Sequence, residues 1–486
     1  MTRRLFALIA LLAAWQPGLL SAQMSESQII SQDQAARYGL TRPWFTQVEM
    51  DSGRSRLQNL VLRDGILYAQ TDSSTVHAID AETGATLWAK QIGLASRPSM
   101  PLGVGPKLLA LVNGTRLYVA NRFDGKILLD TELRGPASAG PAVSGERIYV
   151  PLANGLLVSY RIVELADSLK KLDSKDAQLL SDDSSATKPD ARQDIHLSRE
   201  ALKPAFYQSK GVTLVQPLLA RENEREESLA WPTNQGCVYI GRIARATDAH
   251  IEAKCRLETI GPITVPLTYL PPDPDLSPDS GIVLLSNGGG QIIALLEKTG
   301  DCLWRFPAGA PLASRPVAIG RRAYVALSTG GLYCIDLKKG DRIWYAPDIV
   351  QFVAAGKDRI YAADRAGAIR VLDAATGRLI GSLPTSSLSA KLLNDDTDRI
   401  YISNSRGLIQ CLRETALSQP IARAEARRQA AEAAAKSADT QKTPEKSGDE
   451  AAAAKDEKPA DKKGSAEAKP GEPTEPKEPA KTGDKE

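Results

Sequence analysis

Histidine is nearly absent from this chain, with three in 486 residues. His77, His196 and His250 stand apart with no motif around them, so little is available for a His-based metal centre or proton shuttle. Cysteine is scarce too: five residues, none in a CxxC or CxxCH pattern, which argues against thiol redox chemistry, structural zinc and c-type haem. Six Phe and six Trp are few for a surface that binds by aromatic stacking. A formal net charge of +3, without a basic stripe carrying interleaved aromatics, gives no pull toward nucleic acid. After the N-terminus, no stretch approaches the roughly twenty apolar residues of a membrane span. A P-loop, a G-x-S-x-G elbow and H-E-x-x-H are also missing. Asn287-Gly288-Gly289-Gly290 joins two strand patterns rather than a strand to a helix, so it reads as a tight turn and not a phosphate cradle.

What is present begins with an export signal. Arg3 and Arg4 precede an apolar run over residues 5–15, and Leu20-Ser21-Ala22 offers a small-residue cleavage site. Residues 1–22 are therefore expected to be a signal peptide, placing the mature protein in the periplasm or cell envelope. No Cys lies near that site, so a lipid anchor is not expected.

The body of the chain repeats. Residues 66–88 read ILYAQTDSSTVHAIDAETGATLW, residues 322–344 read RAYVALSTGGLYCIDLKKGDRIW, and residues 359–381 read RIYAADRAGAIRVLDAATGRLIG. A fourth copy spans residues 282–304. Each has an apolar strand, a turn, a second strand, then a turn ending in Gly84, Gly300, Gly340 or Gly377. At such a turn a positive φ costs glycine little, and Asp80, Asp336 and Asp373 can accept hydrogen bonds from the turn backbone. Trp88, Trp304 and Trp344 follow four residues after the glycine, where a flat ring can wedge between sheets. Weaker copies occupy residues 107–133, 147–161, 229–257 and 399–413, and Ser-Arg-Pro tripeptides at 96–98 and 314–316 are expected to open equivalent inner strands. Eight units at about 40-residue spacing predict an all-β, eight-bladed β-propeller over residues 23–413. The last unit lacks an outer strand, which residues 44–49 are expected to supply, closing the ring.

Two segments break the pattern. Residues 162–205 begin with helical spacing and continue as a polar stretch, expected as a surface insertion or a partner-binding element. Residues 414–486 are Ala-, Lys-, Glu- and Pro-rich with balanced charge, and are expected to be a disordered tail.

The motif at 78–88 and 334–344 resembles the PQQ-type (quinoprotein-type) propeller repeat, shared by quinoprotein alcohol dehydrogenases and BamB-like proteins. The enzymes of that family imply an adjacent Cys-Cys disulfide, a calcium site, a catalytic Asp and an aromatic floor beneath PQQ. This sequence has no adjacent Cys pair, and Asp72, Asp364 and Glu164 are carboxylates that no spacing distinguishes. The expectation is a non-enzymatic, monomeric module without cofactor or metal, binding a protein or envelope component through a loop face or the 162–205 insertion. No catalytic, cofactor-binding or metal residue is assigned. The alternative is a PQQ- and calcium-dependent dehydrogenase of alcohols or sugars. Cys237 and Cys255 flank a predicted hairpin turn at residues 245–248 and form either a disulfide or two buried thiols; Cys302, Cys334 and Cys411 read as core fillers.

Overall fold

The computed structural model describes residues 29–161, 204–221, 227–243 and 250–423. The expected signal peptide, the insertion up to residue 203, the hairpin turn at 245–248, Glu164, His196 and all but the start of the tail lie outside the described residues.

Eight four-stranded antiparallel sheets are arranged as the blades of a propeller. Blade 1 holds β2 (Leu57–Arg63), β3 (Ile66–Thr71), β4 (Thr75–Asp80) and β5 (Thr86–Gln91). Blade 2 holds β6 (Gly103–Val104), β7 (Leu108–Asn113), β8 (Arg116–Asn121) and β9 (Ile127–Glu132). Blade 3 holds β10 (Ala142–Val143), β11 (Arg147–Pro151), β12 (Leu156–Arg161) and β13 (Ala205–Gln208). Blade 4 holds β14 (Leu218–Arg221), β15 (Ser228–Pro232), β16 (Cys237–Ile243) and β17 (Ile251–Glu258). Blade 5 holds β18 (Thr268–Leu270), β19 (Ile282–Ser286), β20 (Gln291–Leu296) and β21 (Cys302–Pro307). Blade 6 holds β22 (Val317–Ile319), β23 (Arg322–Ala326), β24 (Leu332–Asp336) and β25 (Arg342–Ala346). Blade 7 holds β26 (Ile349–Ala355), β27 (Arg359–Asp364), β28 (Ile369–Asp373) and β29 (Leu379–Leu383).

Blade 8 joins the two ends of the ring. Its inner strands are β30 (Ala390–Lys391), β31 (Ile400–Ser403) and β32 (Leu408–Glu414), and its outer strand is β1 (Leu40–Gln47). The closure expected from residues 44–49 is present, with a strand that starts earlier, at Leu40. Pro43 sits at the outer edge beside a register shift, where its missing N–H breaks no ladder. Before it runs α1 (Gln32–Ala36), capped by Ser31, whose hydroxyl accepts from the Gln34 N–H while the Gln34 side chain accepts from the Ser31 N–H.

The second and third strands of each blade lie between neighbouring sheets and are apolar on both faces, as the six buried residues of β7 show. Outer strands bury fewer residues: in β5 only Trp88 is buried. The core is accordingly a set of layers between blades. One layer joins Ile282, Leu284 and Trp304 of blade 5 to Ala323, Val325 and Ile335 of blade 6.

The glycine turns form as the repeat predicted. Asp80 Oδ1 accepts from the Glu82 and Thr83 N–H groups at 3.1 and 2.8 Å, and Gly84 has φ +74°. Asp336 and Asp373 repeat this arrangement. The two Ser-Arg-Pro tripeptides, by contrast, are not equivalent. In blade 6 the tripeptide falls between the bridge Leu312–Leu327 and β22; in blade 2 it precedes both the corresponding bridge, Ser99–Asn113, and β6. The offset leaves Arg97 against the Gly114 turn and sends Arg315 toward the axis.

Candidate interaction faces and central channel

Four blades are latched to the next at one recurring place. The Trp88 Nε1–H donates to the Arg122 carbonyl at 3.0 Å, Trp304 to Leu337 at 2.7 Å, and Trp344 to Ala374 at 3.1 Å. The acceptor always lies three residues before the turn glycine of the following blade, and the ring packs on that glycine. A Cβ on Gly125, Gly340 or Gly377 would fall within 2.5–2.7 Å of the indole. The wedge role expected of these three residues is therefore real, and a fourth member was not foreseen. Trp44 donates to the Ala81 carbonyl at 3.1 Å and packs on Gly84, repeating the latch across the closing seam. Only its spacing from the turn glycine hid it, because blade 8 is assembled from both ends of the chain. Trp231 does something else: it sits in the second strand of blade 4, stacked on Tyr239 with its Nε1–H on the Ser209 hydroxyl.

At the same register position the other blades carry Leu129, Ala205, Cys255 and Gly381. Cys255 rests on Gly300, its thiol donating to the Thr299 carbonyl at 3.0 Å. Tyr38, just after α1, lies over Gly381 and fills the space a larger side chain would take. Cys237 and Cys255 are both free thiols, so no disulfide joins them. Cys237 faces Glu258 across the ladder and Cys255 faces Ile240, three residues away, which puts the two thiols on opposite faces of the sheet. Cys334 and Cys411 fill the core as expected; Cys302 does not, being exposed at the start of an outer strand.

The meander divides the loops between two faces. Turns between first and second strands and between third and fourth strands share one face, which also carries α1, residues 415–423 and the point where residues 162–203 leave blade 3. Turns between second and third strands, and connections between blades, share the other. On this second face each connection folds over the next blade's turn: the Leu94 N–H donates to Asn113 Oδ1, the Asn234 N–H to the Val212 carbonyl, and the Gly289 N–H to the Ile260 carbonyl. Three connections expose a large apolar side chain: Leu94 at 49%, Leu214 at 45% and Ile260 at 70%. Leu214 and Ile260 flank blade 4.

Along the axis runs a cavity of about 520 Å³, walled mainly by residues 57–62 of blade 1 and residues 390–396 of blade 8. Arg315 of blade 6 meets Asp395 there in a bidentate pair, with N–O distances of 2.7 and 3.0 Å. Burial works against the Arg315 charge, but Asp395 and then Asp396 more than offset it and hold its pKa above the ordinary value. The buried Ser403 hydroxyl, also in the wall, has no hydrogen-bond partner.

The remaining carboxylates and imidazoles singled out in the sequence are not brought together. Asp72 is exposed and accepts from the Ser55 hydroxyl and the Arg56 N–H in blade 1. Asp364 is buried in blade 7, where it accepts from the Ala368 N–H and pairs with Arg370 at 2.7 Å. His77 is buried in β4 with Nε2 unpartnered, and His250 is exposed just before β17. Among the described residues no group of three His, Cys, Asp or Glu side chains gathers, and no helix is long and apolar enough to cross a membrane.

Eight four-stranded blades, Asp-capped glycine turns and a closing strand from the N-terminus define a PQQ-like β-propeller. The family model described as outer membrane protein assembly factor BamB matches residues 72–199 and 269–441, and the chain belongs to that family. Among solved structures, BamB from Moraxella catarrhalis superposes with a TM-score of 0.54 at 14% identity, covering 77% of this chain and 97% of that one. Sqt1 of Saccharomyces cerevisiae gives a TM-score of 0.54 at 8% identity, covering 76% and 98%. The computationally designed Ika8 protein gives 0.50 at 15%, covering 75% and 99%. At these identities the superpositions speak for the fold alone. None of the curated proteins is a significant match.

Proposed function

We propose that this protein is an exported, non-enzymatic propeller of the bacterial cell envelope that holds a protein partner on the loop face bearing Leu214 and Ile260. The observation that carries this reading is the exposure of Ile260, at 70% the highest of any large apolar residue described. Leu87, Leu303, Ile343 and Ile380 are exposed as well, but one to a blade on the outer strands, whereas Ile260 and Leu214 sit on adjacent connections of one loop face. Exposed apolar side chains grouped on one face mark interaction surfaces more often than isolated ones do. Membership of a family named for outer-membrane protein assembly supports an envelope setting. An export signal over residues 1–22 and a function that needs neither quinone nor calcium are part of the same proposal.

Crosslinking in intact cells followed by pull-down tests it. Wild-type protein is expected to recover one specific envelope partner, and the Leu214→Asp/Ile260→Asp double variant to lose it while keeping its melting temperature. Equal recovery by the double variant, with loss on deletion of residues 162–203, would move the site to the insertion. A saturable absorbance shift on adding PQQ and calcium, with dye reduction by alcohols or sugars, would favour the dehydrogenase instead.

A further inference from the structure

We infer that the central channel is a second binding site, which takes a short extended peptide paired along the inner edge of β2. The channel wall includes six consecutive residues of this strand, 57–62. Side chains of a strand alternate between its faces, so six in a row can border one cavity only if the main-chain edge itself faces it. β2 pairs with β3 on its other side and with no strand on this one. Past Leu57, whose N–H donates to the Ser405 carbonyl, its alternate N–H and C=O groups are therefore open to the channel, and an extended backbone is the ligand that matches such an edge.

Among the described inner strands, only β2 combines such length with a place in the channel wall. β2 has seven residues, whereas the inner strands β6 and β10 have two and β22 has three. β26 is as long, but the cavity is not lined by it. The facing wall suits a peptide as well. Leu392 of blade 8 faces Leu60 and Leu62 of β2 itself, all three partly buried, and the Ser403 hydroxyl is an unused hydrogen-bonding group. Arg315 and Lys391 balance Asp395 and Asp396 around the cavity, so its lining sets no charge preference for the segment. This site is separate from the Leu214–Ile260 face, and neither depends on the other.

The test uses the full chain and a fluorescein-labelled hexapeptide, Lys-Val-Thr-Val-Lys-Val amide, followed by fluorescence anisotropy. Saturable binding is expected. N-methylation of every peptide bond should weaken it at least tenfold, because the edge then has no donor to meet. Gln58→Trp, at an exposed position where β2 bulges, should narrow the channel and weaken binding by a similar factor without lowering the melting temperature. Ile260→Asp should leave it unchanged. Three results would overturn the proposal: no saturation, equal affinity for the N-methylated peptide, or indifference to Gln58→Trp. A photo-crosslinker at position 58 that captures residues 424–486 of the same chain would also overturn it, by giving the channel to the protein's own tail.

Discussion

Arg399 of blade 8 and Glu82 of blade 1 clasp the ring shut, with Nη2 to Oε2 at 2.8 Å and Nε at 3.1 Å from both carboxylate oxygens. The guanidinium is wholly buried and also meets the buried Asp398 at 3.0 Å, while its remaining N–H groups donate to the Leu417 and Ser418 carbonyls. Asp398 in turn accepts from the Ile421 N–H at 2.7 Å, so the clasp fixes the chain beyond β32 as well. Arg399→Ala is expected to destabilise the propeller by about 3–5 kcal/mol, because Asp398 is left buried without its cation. Glu82→Gln should cost only about 1 kcal/mol, since Glu82 is 41% exposed and water can replace part of the pair. Arg399→Lys should resemble the alanine variant, as an ammonium cannot serve four acceptors in a plane. Urea unfolding of the three variants checks the order.

The inter-blade latch makes a coupled pair of Trp304 and Gly340. Trp304→Ala is expected to cost about 3–5 kcal/mol through the lost burial and the cavity left behind. Gly340→Ala brings a Cβ within 2.7 Å of the ring at φ +77°, so it should cost more than Gly309→Ala, where φ is +83° and nothing lies within 4 Å. For Gly309→Ala only the backbone cost of about 1–2 kcal/mol is expected. In a Trp304→Ala background the excess at Gly340 should disappear, and a double-mutant cycle by chemical unfolding measures that.

The five thiols should fall into three classes toward a thiol reagent such as DTNB. Cys302 is exposed and should react first. Cys255 is half-buried under the Thr299 turn, and burial raises its pKa, so it should react slowly. Cys237, Cys334 and Cys411 are buried, with the Cys334 thiol pushed up to about 12, and should react only on unfolding. Mass spectrometry of non-reduced peptides should find no Cys237–Cys255 link; finding one would contradict the strand register.

The repeats were legible because each blade needs the same few residues: a β-rich pair of strands, an Asp-capped glycine turn and a wedge. Those requirements are local, so they appear in the sequence at fixed spacing. Trp44, Tyr38 and Cys255 were not legible as wedges. Trp44 and Tyr38 act on glycines far along the chain, and Cys255 takes the place of an indole in a blade whose hairpin is longer. The Ser-Arg-Pro pair misled for the opposite reason: an identical tripeptide sits at two different offsets from the strand it precedes. The channel was out of reach of periodicity altogether. Arg315, Asp395 and Ser403 lie in blades 6 and 8, and only ring closure brings them to the β2 edge.

His77 should give the propeller a pH-dependent stability of one sign. The imidazole is buried in β4 among the strands of blade 1, and Nε2 has no partner. Burial lowers its pKa below the ordinary 6.5, with Glu49 acting weakly in the opposite direction. The unfolded chain therefore binds a proton more readily than the folded one. This contribution to stability is complete above the unfolded pKa and is lost progressively as pH falls through it toward the lower folded value. Replacing the ring with one that cannot titrate, His77→Phe, should flatten the curve between pH 7 and 5.5. Urea midpoints across that interval decide it. The wild-type midpoint should drop more steeply than that of the variant, and parallel curves would mean that His77 charges as freely in the folded blade as in the unfolded chain.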